Sequence, residues 1–335
     1  MDTRGRGWKT WRDEKPAPEC FDIGSSGFRL LICPTGRSQR VPKFNKDLPV
    51  ISIVTPSFNQ GRYLESCMRS VLDQGLSDLE YIVIDGGSTD GSPDIIRKYS
   101  SQLRFWRSAP DAGYLAALNE GFSKTSGEIL AWINSDDKYV PWAFQVIADV
   151  FKKFPQVQWL TTLFPLVMDE EDRVLSCRQT EGYNRTAFYR GRNLRREGGF
   201  YSFVIQQEST FWRRSLWEAA GGRLDEALKV AGDFELWARF FEHADLYALA
   251  VPLACFRFQG TSLSFEQADL YRQECEAVLE RYGLPEPSWA EVHLRRALRI
   301  LPPRLRRVPG LAYPAKIIEH AGRNKSWTVR PGWFV

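Results

Sequence analysis

The sequence predicts an α/β fold with a mostly parallel central sheet flanked by helices, and three observations predict it. Strand-like runs alternate with helical patterns at the spacing of right-handed crossovers from Pro49 onward. The run Ile129–Ile133 is five apolar residues between turn signals, the pattern of a fully buried strand. Acidic residues stand at the strand ends, where open α/β sheets place their ligands. In order, Val50–Val54 is strand-like and ends in Thr55-Pro56-Ser57-Phe58-Asn59. A helix is predicted from Arg62 to Asp73, with Leu64, Cys67, Met68, Val71 and Leu72 on one face. Leu79–Ile84 is a second strand, closing in Asp85-Gly86-Gly87-Ser88-Thr89-Asp90-Gly91-Ser92, and Ser92-Pro93 opens a helix to Tyr99. Arg104–Arg107 is a short third strand, and a helix over Tyr114–Lys124 leads to Gly127 and the strand Ile129–Ile133. That strand stops at Asn134-Ser135-Asp136-Asp137, after which Pro141 reads as the first turn of a helix Trp142–Phe154. Beyond it the regularity weakens. Val157–Val167, Arg173–Leu175, Phe203–Ile205 and Ser209–Trp212 have strand character, Gly232-Asp233 introduces a helix Phe234–His243, and a strand Tyr247–Phe256 and a helix Phe265–Tyr282 follow.

Length and composition bound the rest. A chain of 335 residues holds one large α/β domain or two small ones, and 43% apolar with 26% charged residues is ordinary for a soluble globular protein. A net charge of +4 gives no general case for binding a polyanion, so no nucleic-acid partner is expected. Six cysteines lack any CxxC or Cys/His pairing, which argues against zinc or a disulfide framework and for thiols in a reducing compartment. No apolar signal segment follows Met1, and Tyr247–Phe256, interrupted by Pro252, is too short to span a bilayer. The expected location is cytoplasmic, either free or on the inner face of a membrane. With three histidines only, carboxylates are expected to carry any acid-base work. Residues 1–48 read as an N-terminal extension, 49–260 as the main domain with halves 49–140 and 141–260, and 261–335 as a helical, basic C-terminal tail.

Asp136-Asp137 is the most informative pair. Adjacent like charges repel and have no packing value, so they point to a divalent cation, with a helix N-cap as the structural alternative. Asp85 with Asp90, Asp111 and Asp233 are further acidic stations. Together the segments Pro49–Phe58, Val83–Ser92, Asn119–Phe122 with Ser126–Ile129, and Asn134–Asp137 resemble the family 2 glycosyltransferases of the GT-A fold, and Gln206–Arg214 with Ala231–Trp237 resembles the acceptor half of that family.

The resemblance implies a nucleotide-sugar donor over the carboxyl ends of the first strands, bound by Thr55, Pro56, Asp85, Asp90, Asp111 and Asp136. Thr55 and Pro56 would wall the base, and Asp85 would accept its imide N–H. Asp90 would contact base or ribose, unless it serves an Asx-type turn with Ser88 and Gly91. Asp136 and Asp137 would hold Mn²⁺ or Mg²⁺, which neutralises the departing diphosphate. Asp233 would be the general base of an inverting transfer, its structural alternative being a helix N-terminal charge with a depressed pKa. Gln207, Glu208 and Trp237 are the acceptor-side candidates, and Glu235 is a lesser candidate for the base. The acceptor would be a glycan or a lipid-linked hydroxyl, as in the building of a cell-envelope polysaccharide. Two departures from the family stand out: Asn134 where an additional Asp is common, and Leu118 where Arg often precedes Asn119. The arginines of 185–196 and 213–214 are the candidates to replace that Arg at the diphosphate, a solvated helix face being the alternative for the first run.

From Ser288 on, ten Lys and Arg stand against two Glu, a net of +8. Ala290, Leu294, Ala297, Leu298 and Leu301 form an apolar stripe that fits either an anionic membrane surface or the protein's own core. A nucleotidyltransferase would need a Gly/Arg/Lys-rich phosphate loop after the first strand, and a dehydrogenase a GxGxxG there; the chain offers Thr55–Asn59 instead. A silent binding homologue would have no reason to keep Asp85, Asp136, Asp137 and Asp233.

Overall fold

The computed structural model describes residues 48–194, 204–259, 267–283, 288–298, 300, 308, 311–321 and 326–335. The expected N-terminal extension, apart from Leu48, lies outside the described residues, as do Arg195, Arg196 and Phe203.

Strands β1 (Ile51–Ser57), β2 (Leu79–Asp85), β3 (Phe105–Ser108) and β4 (Ile129–Trp132) alternate with helices α1 (Gly61–Leu72), α2 (Ser92–Tyr99) and α3 (Tyr114–Ser123). Parallel pairing of β1 with β2 and β4, and of β2 with β3, matches the pattern of the sequence. All of β1 and β4 is buried, as apolar strands covered on both faces must be. Helix α1 buries Tyr63, Leu64, Cys67, Met68 and Val71 on one face. Helix α3 approaches β1 closely at Gly121, where a Cβ would lie 2.3 Å from Val54 Cγ1.

The central sheet has nine strands among the described residues, in the order β13-β12-β10-β6-β9-β4-β1-β2-β3, where β6 is Trp159–Thr162, β9 Phe211–Arg213, β10 Tyr247–Leu249, β12 Tyr313–Ala321 and β13 Ser326–Phe334. Strands β9 and β13 run antiparallel to their neighbours. A second, four-stranded sheet has the order β5-β11-β7-β8, with β5 at Lys138–Tyr139, β7 at Leu166–Met168, β8 at Val174–Cys177 and β11 at Ala254–Arg257. The remaining α-helices among the described residues are α4 (Ala143–Lys153), α5 (Arg185–Tyr189), α6 (Arg214–Ala219), α7 (Gly232–His243), α8 (Ala268–Glu280) and α9 (Trp289–Leu298).

Two runs expected as single strands are each divided between the sheets. Val157–Val167 becomes β6 and β7, and Tyr247–Phe256 becomes β10 and β11. Pro165 and Pro252 mark the breaks, since proline lacks the N–H a ladder needs. The Thr162 hydroxyl knits the corner, donating to Val251 O at 2.8 Å and accepting from Phe164 N–H at 2.8 Å.

The tail expected to be helical is a helix followed by a strand pair that extends the central sheet. In β12, Tyr313, Ala315 and Ile317 are buried while Pro314 and Lys316 are exposed, a period of two that earns a strand, and β12 pairs parallel with β10. The apolar stripe expected on α9 is also rearranged. Leu298 is buried, but Leu294 is 51% exposed, and Arg295 is buried between Glu291 (2.7 Å) and the Tyr313 ring (4.1 Å). No helix among the described residues is long and apolar enough to cross a membrane.

Candidate functional site

The carboxyl ends of β1, β2 and β3 are level, with Ser57 opposite Asp85 and Asp85 opposite Ser108. Asp85 is fully buried and accepts from Ser88 Oγ (2.5 Å), Ser88 N (3.0 Å), Gly87 N (3.2 Å) and Ser108 Oγ (2.7 Å). It thus shapes the Gly86-Gly87 loop. Thr55 turns its hydroxyl into the core, 3.0 Å from Tyr81 Oη, so its side chain does not wall a cleft as expected; Pro56 is also buried in β1. Asp90 accepts from Gly61 N–H at 2.7 Å and from Ser92 N–H and Oγ–H, tying the starts of α1 and α2. Burial would raise its pKa, but the bonds from Ser92 and Gly61 outweigh it and hold the carboxyl below its ordinary value. The Asx-type turn is therefore the reading the geometry favours, with Ser92 as its partner.

Asp111 accepts from Gly113 N–H at 2.8 Å. A Cβ on Gly86 would lie 3.2 Å from Asp111 Oδ2 and 3.3 Å from Phe58 Cδ2, so a side chain there would crowd both. Phe58 is 62% exposed there, an aromatic face beside bare backbone, and sequence reasoning did not single it out. Its signal was available: a phenylalanine among the polar residues that close β1.

Asp136 and Asp137 lie in the turn between β4 and β5. Helix α4 begins later, at Ala143, with no side-chain cap, so the helix-cap alternative is excluded. Asp137 is fully buried, accepting from Arg257 N–H (2.7 Å) and Asn134 Nδ2–H (3.4 Å), and Asp136 accepts from Gln259 Nε2–H. Arg257, 1% exposed, donates to Asp136 O (2.7 Å), Asp169 O (2.7 Å) and Asp172 Oδ1 (2.5 Å), and lies over the Tyr63 ring. Its guanidinium braces the turn's backbone instead of pairing with either carboxylate. Burial raises both carboxyls above the ordinary aspartate range, Asp137 further because Asp136 and Glu208 add negative charge.

Strand β9 pairs antiparallel with β4, Ile129 opposite Arg213. This direction sets what reaches the site. Gln207 sits at the carboxyl end of β4, its Nε2 donating to Trp132 O at 2.7 Å, with Glu208 beside it. The Oε1 atoms of both are buried without a hydrogen-bond partner. Burial pushes the Glu208 carboxyl up to about 8, and the charges of Asp136 and Asp233 add to it. Arg213 and Arg214 are carried to the other end of β4. There Arg213 donates to Val157 O and Phe151 O, and Arg214 donates to Gly127 O. They are corrected from diphosphate candidates to braces. Arg190 bonds Glu291 at 2.6 Å, and Arg192 bonds the Val335 carbonyl at 2.6 Å, so these two hold the C-terminal segment; they are not a solvated face.

Asp233 stands in the first turn of α7. Burial raises its carboxyl to about 6, against the lowering bonds of the Phe234 and Asp233 amides, so burial outweighs the helix dipole. Glu235, the lesser candidate, is bonded by Arg239 at 2.7–3.1 Å. Trp237 is corrected from acceptor contact to core: it is 1% exposed and stacks on Trp132 (5.8 Å, 12°) and Trp159 (5.6 Å, 29°). Among the described residues, no group of three or more His, Cys, Asp or Glu gathers as a metal cluster.

Comparison with known proteins gives this geometry a context. The family model described as Glycosyl transferase family 2 matches residues 52–219, half of the chain. An uncharacterized glycosyltransferase of Nostoc sp. is 33% identical over 141 residues, 39% of this chain and 41% of its own length. A putative teichuronic acid biosynthesis glycosyltransferase of Bacillus subtilis is 34% identical over 94 residues, 27% of this chain and 37% of its own. Among solved structures, S. aureus TarS residues 1–349 in complex with UDP-GlcNAc aligns with a TM-score of 0.50 at 16% identity, covering 68% of this chain and 70% of that one. The last likeness is one of fold, the GT-A type that the motifs imply.

Proposed function

The chain belongs to glycosyl transferase family 2, and from that premise we propose that it transfers a sugar, with inversion, from a nucleotide-sugar donor to a hydroxyl acceptor. The observation that carries this reading is the pair Asp136-Asp137. Among the described residues, no Lys, Arg or His side chain lies within ion-pair distance of these buried carboxylates, at the carboxyl end of a parallel strand. Two carboxylates without a salt bridge among the described residues, with Arg257 acting on Asp136 only from beyond ion-pair distance, fit Mg²⁺ or Mn²⁺, ions that commonly take one or two protein carboxylates and complete their shell with phosphate oxygens and water. Asp136, the less buried of the two, would ligate the cation, with Asp137 beside it. When bound, the cation supplies charge neutralisation to the departing diphosphate.

This chain's own residues do the remainder. Phe58 would offer its exposed ring to the base beside Gly86, with Asp111 next to it. Asp85, fully buried and already taking four hydrogen bonds, would set the loop under the base and would not accept its imide N–H as expected. Gln207 and Glu208 offer their unpartnered oxygens to sugar hydroxyls. Asp233 takes the acceptor proton as the acceptor oxygen bonds the anomeric carbon and the carbon–phosphate-oxygen bond breaks. A fixed carboxylate with a pKa near 6 is charged at neutral pH yet more basic than an ordinary aspartate.

The test is donor hydrolysis and transfer screened across nucleotide-sugars with Mn²⁺ or Mg²⁺. Expected are metal-dependent turnover of one donor class and its loss in Asp136→Ala. Metal-dependent donor binding unchanged in that variant would remove the cation assignment. The anomeric configuration of the product, read by NMR, tests inversion.

For the acceptor we propose a glycan or lipid-linked hydroxyl met at an anionic membrane surface. The outer face of the α9 segment carries Trp289 (76% exposed), Leu294 and Ile300 (86% exposed), within a segment of net charge +8.

A further inference from the structure

Helix α7 begins without a cap of its own. Its N-cap residue, Ala231, has no side-chain oxygen, and the amides ahead of it need partners. They find one in another helix. Glu274 on α8 accepts from Lys229 N–H (Oε1, 2.7 Å), Val230 N–H (Oε2, 3.0 Å) and Ala231 N–H (Oε2, 2.9 Å). Three consecutive backbone amides thus close on one carboxylate, and bonds to an ionised acceptor are the strong ones. The next amide, Gly232 N–H, donates to Tyr114 Oη of α3 at 3.4 Å. Gly232 is pinned from that side as well, since a Cβ there would lie 2.3 Å from Leu115 Cδ2. The residue after this fixed run is Asp233.

We propose that Glu274 is a positioning residue for the transfer, holding the 229–232 segment so that the Asp233 carboxylate faces the acceptor hydroxyl. The inference rests on Asp233 being the general base, and it extends that base's support to a helix well outside the matched region, residues 52–219. The Glu274 carboxylate is spent on the Lys229, Val230 and Ala231 amides. It acts by fixing backbone, so its loss separates the rate of the chemical step from donor binding. A displacement near 1 Å at a reacting group costs on the order of 100-fold.

The experiment compares Glu274→Ala, Glu274→Gln and Asp233→Asn in the full chain, measuring kcat, donor KM, donor Kd and Tm. Glu274→Ala is expected to lose about 10- to 100-fold in kcat while donor Kd moves less than about twofold. Glu274→Gln keeps a carbonyl oxygen for the Val230 and Ala231 amides and is expected to recover most of the loss. Should Glu274→Ala fail to fold, Glu274→Asp, one methylene short of the amides, is expected to show the same split of kcat from Kd. A folded Glu274→Ala enzyme with wild-type kcat, beside an inactive Asp233→Asn, would overturn the positioning role and leave the base in place. Equal losses in kcat and donor affinity would overturn it too. Wild-type transfer by Asp233→Asn would remove the base assignment, and this inference with it.

Discussion

A carboxyl raised to about 6 by burial has consequences for both rate and stability at Asp233. As the proposed base it would work only when ionised, so kcat is expected to rise tenfold per pH unit below about 6 and to level off above it, with the acid limb absent from the residual activity of Asp233→Asn. The sign for stability is opposite. The folded state binds this proton more tightly than the unfolded chain, whose aspartate titrates near about 3.9. Stability from the protonated form is therefore full below about 4 and is lost as pH rises through 6. Asp233→Asn is then expected to melt higher than wild type at pH 8, by on the order of 1–3 kcal/mol, and not at pH 4. Melting curves at the two pH values check it. Equal shifts at both would mean the carboxylate carries no burial cost.

At the scale of elements, β11 does more for the site than its length suggests. Its Arg257 closes the turn after β4 through Asp136 O and reaches Asp172, with hardly any solvent contact. Arg257→Met removes the guanidinium and takes its donors from Asp136 O and Asp169 O, while Asp172 keeps Lys138 Nζ (3.0 Å). A buried acceptor left without its donor costs about 1–3 kcal/mol, here at Asp136 O, since Asp172 is half exposed and keeps Lys138. The expected outcome is a fall in Tm and loss of metal-dependent donor binding, read by calorimetry, with the Arg257 amide still available to Asp137. This contact was not legible in the sequence, because 120 residues separate Asp137 from Arg257. Local chemistry was legible: the turns after β1, β2 and β4 declare themselves through glycine, serine and aspartate, and the first three helices through their periodicity. Strand direction was not. Periodicity marks Phe211-Trp212 as strand-like, but only pairing with β4 shows that it runs backwards, bringing Gln207 and Glu208 to the site and taking Arg213 and Arg214 away. Trp237 misled for a related reason: a helix face next to a site residue reads the same whether it meets a ligand or three other tryptophans.

For the whole molecule, the C-terminal segment joins the body, and the membrane alternative for its apolar stripe remains a proposal. The segment docks on the body through β12 paired with β10 and through Arg190 bonded to Glu291, Leu298 and Arg295 packing within the segment on Ala312, Val335 and Tyr313, while Trp289, Leu294 and Ile300 are exposed. An inward-facing arginine on a helix whose leucine faces water is a costly arrangement unless the outer face has an apolar partner of its own. Under the proposed membrane contact a lipid surface would supply that partner, and the basic surplus of the segment would select anionic headgroups, each Lys or Arg near the surface contributing about 1 kcal/mol. Binding is therefore expected to vesicles containing phosphatidylglycerol or phosphatidylserine, to weaken several-fold between low and physiological salt, and to be negligible on neutral phosphatidylcholine. The combined variant Trp289→Ser, Leu294→Ser, Ile300→Ser is expected to lose co-sedimentation with anionic vesicles while keeping wild-type hydrolysis of the soluble donor. Undiminished vesicle binding by that variant would show the charge acting alone. Binding to neutral and anionic vesicles alike would show the apolar face acting without the charge, and either result would end the case for this face as the membrane-reading element.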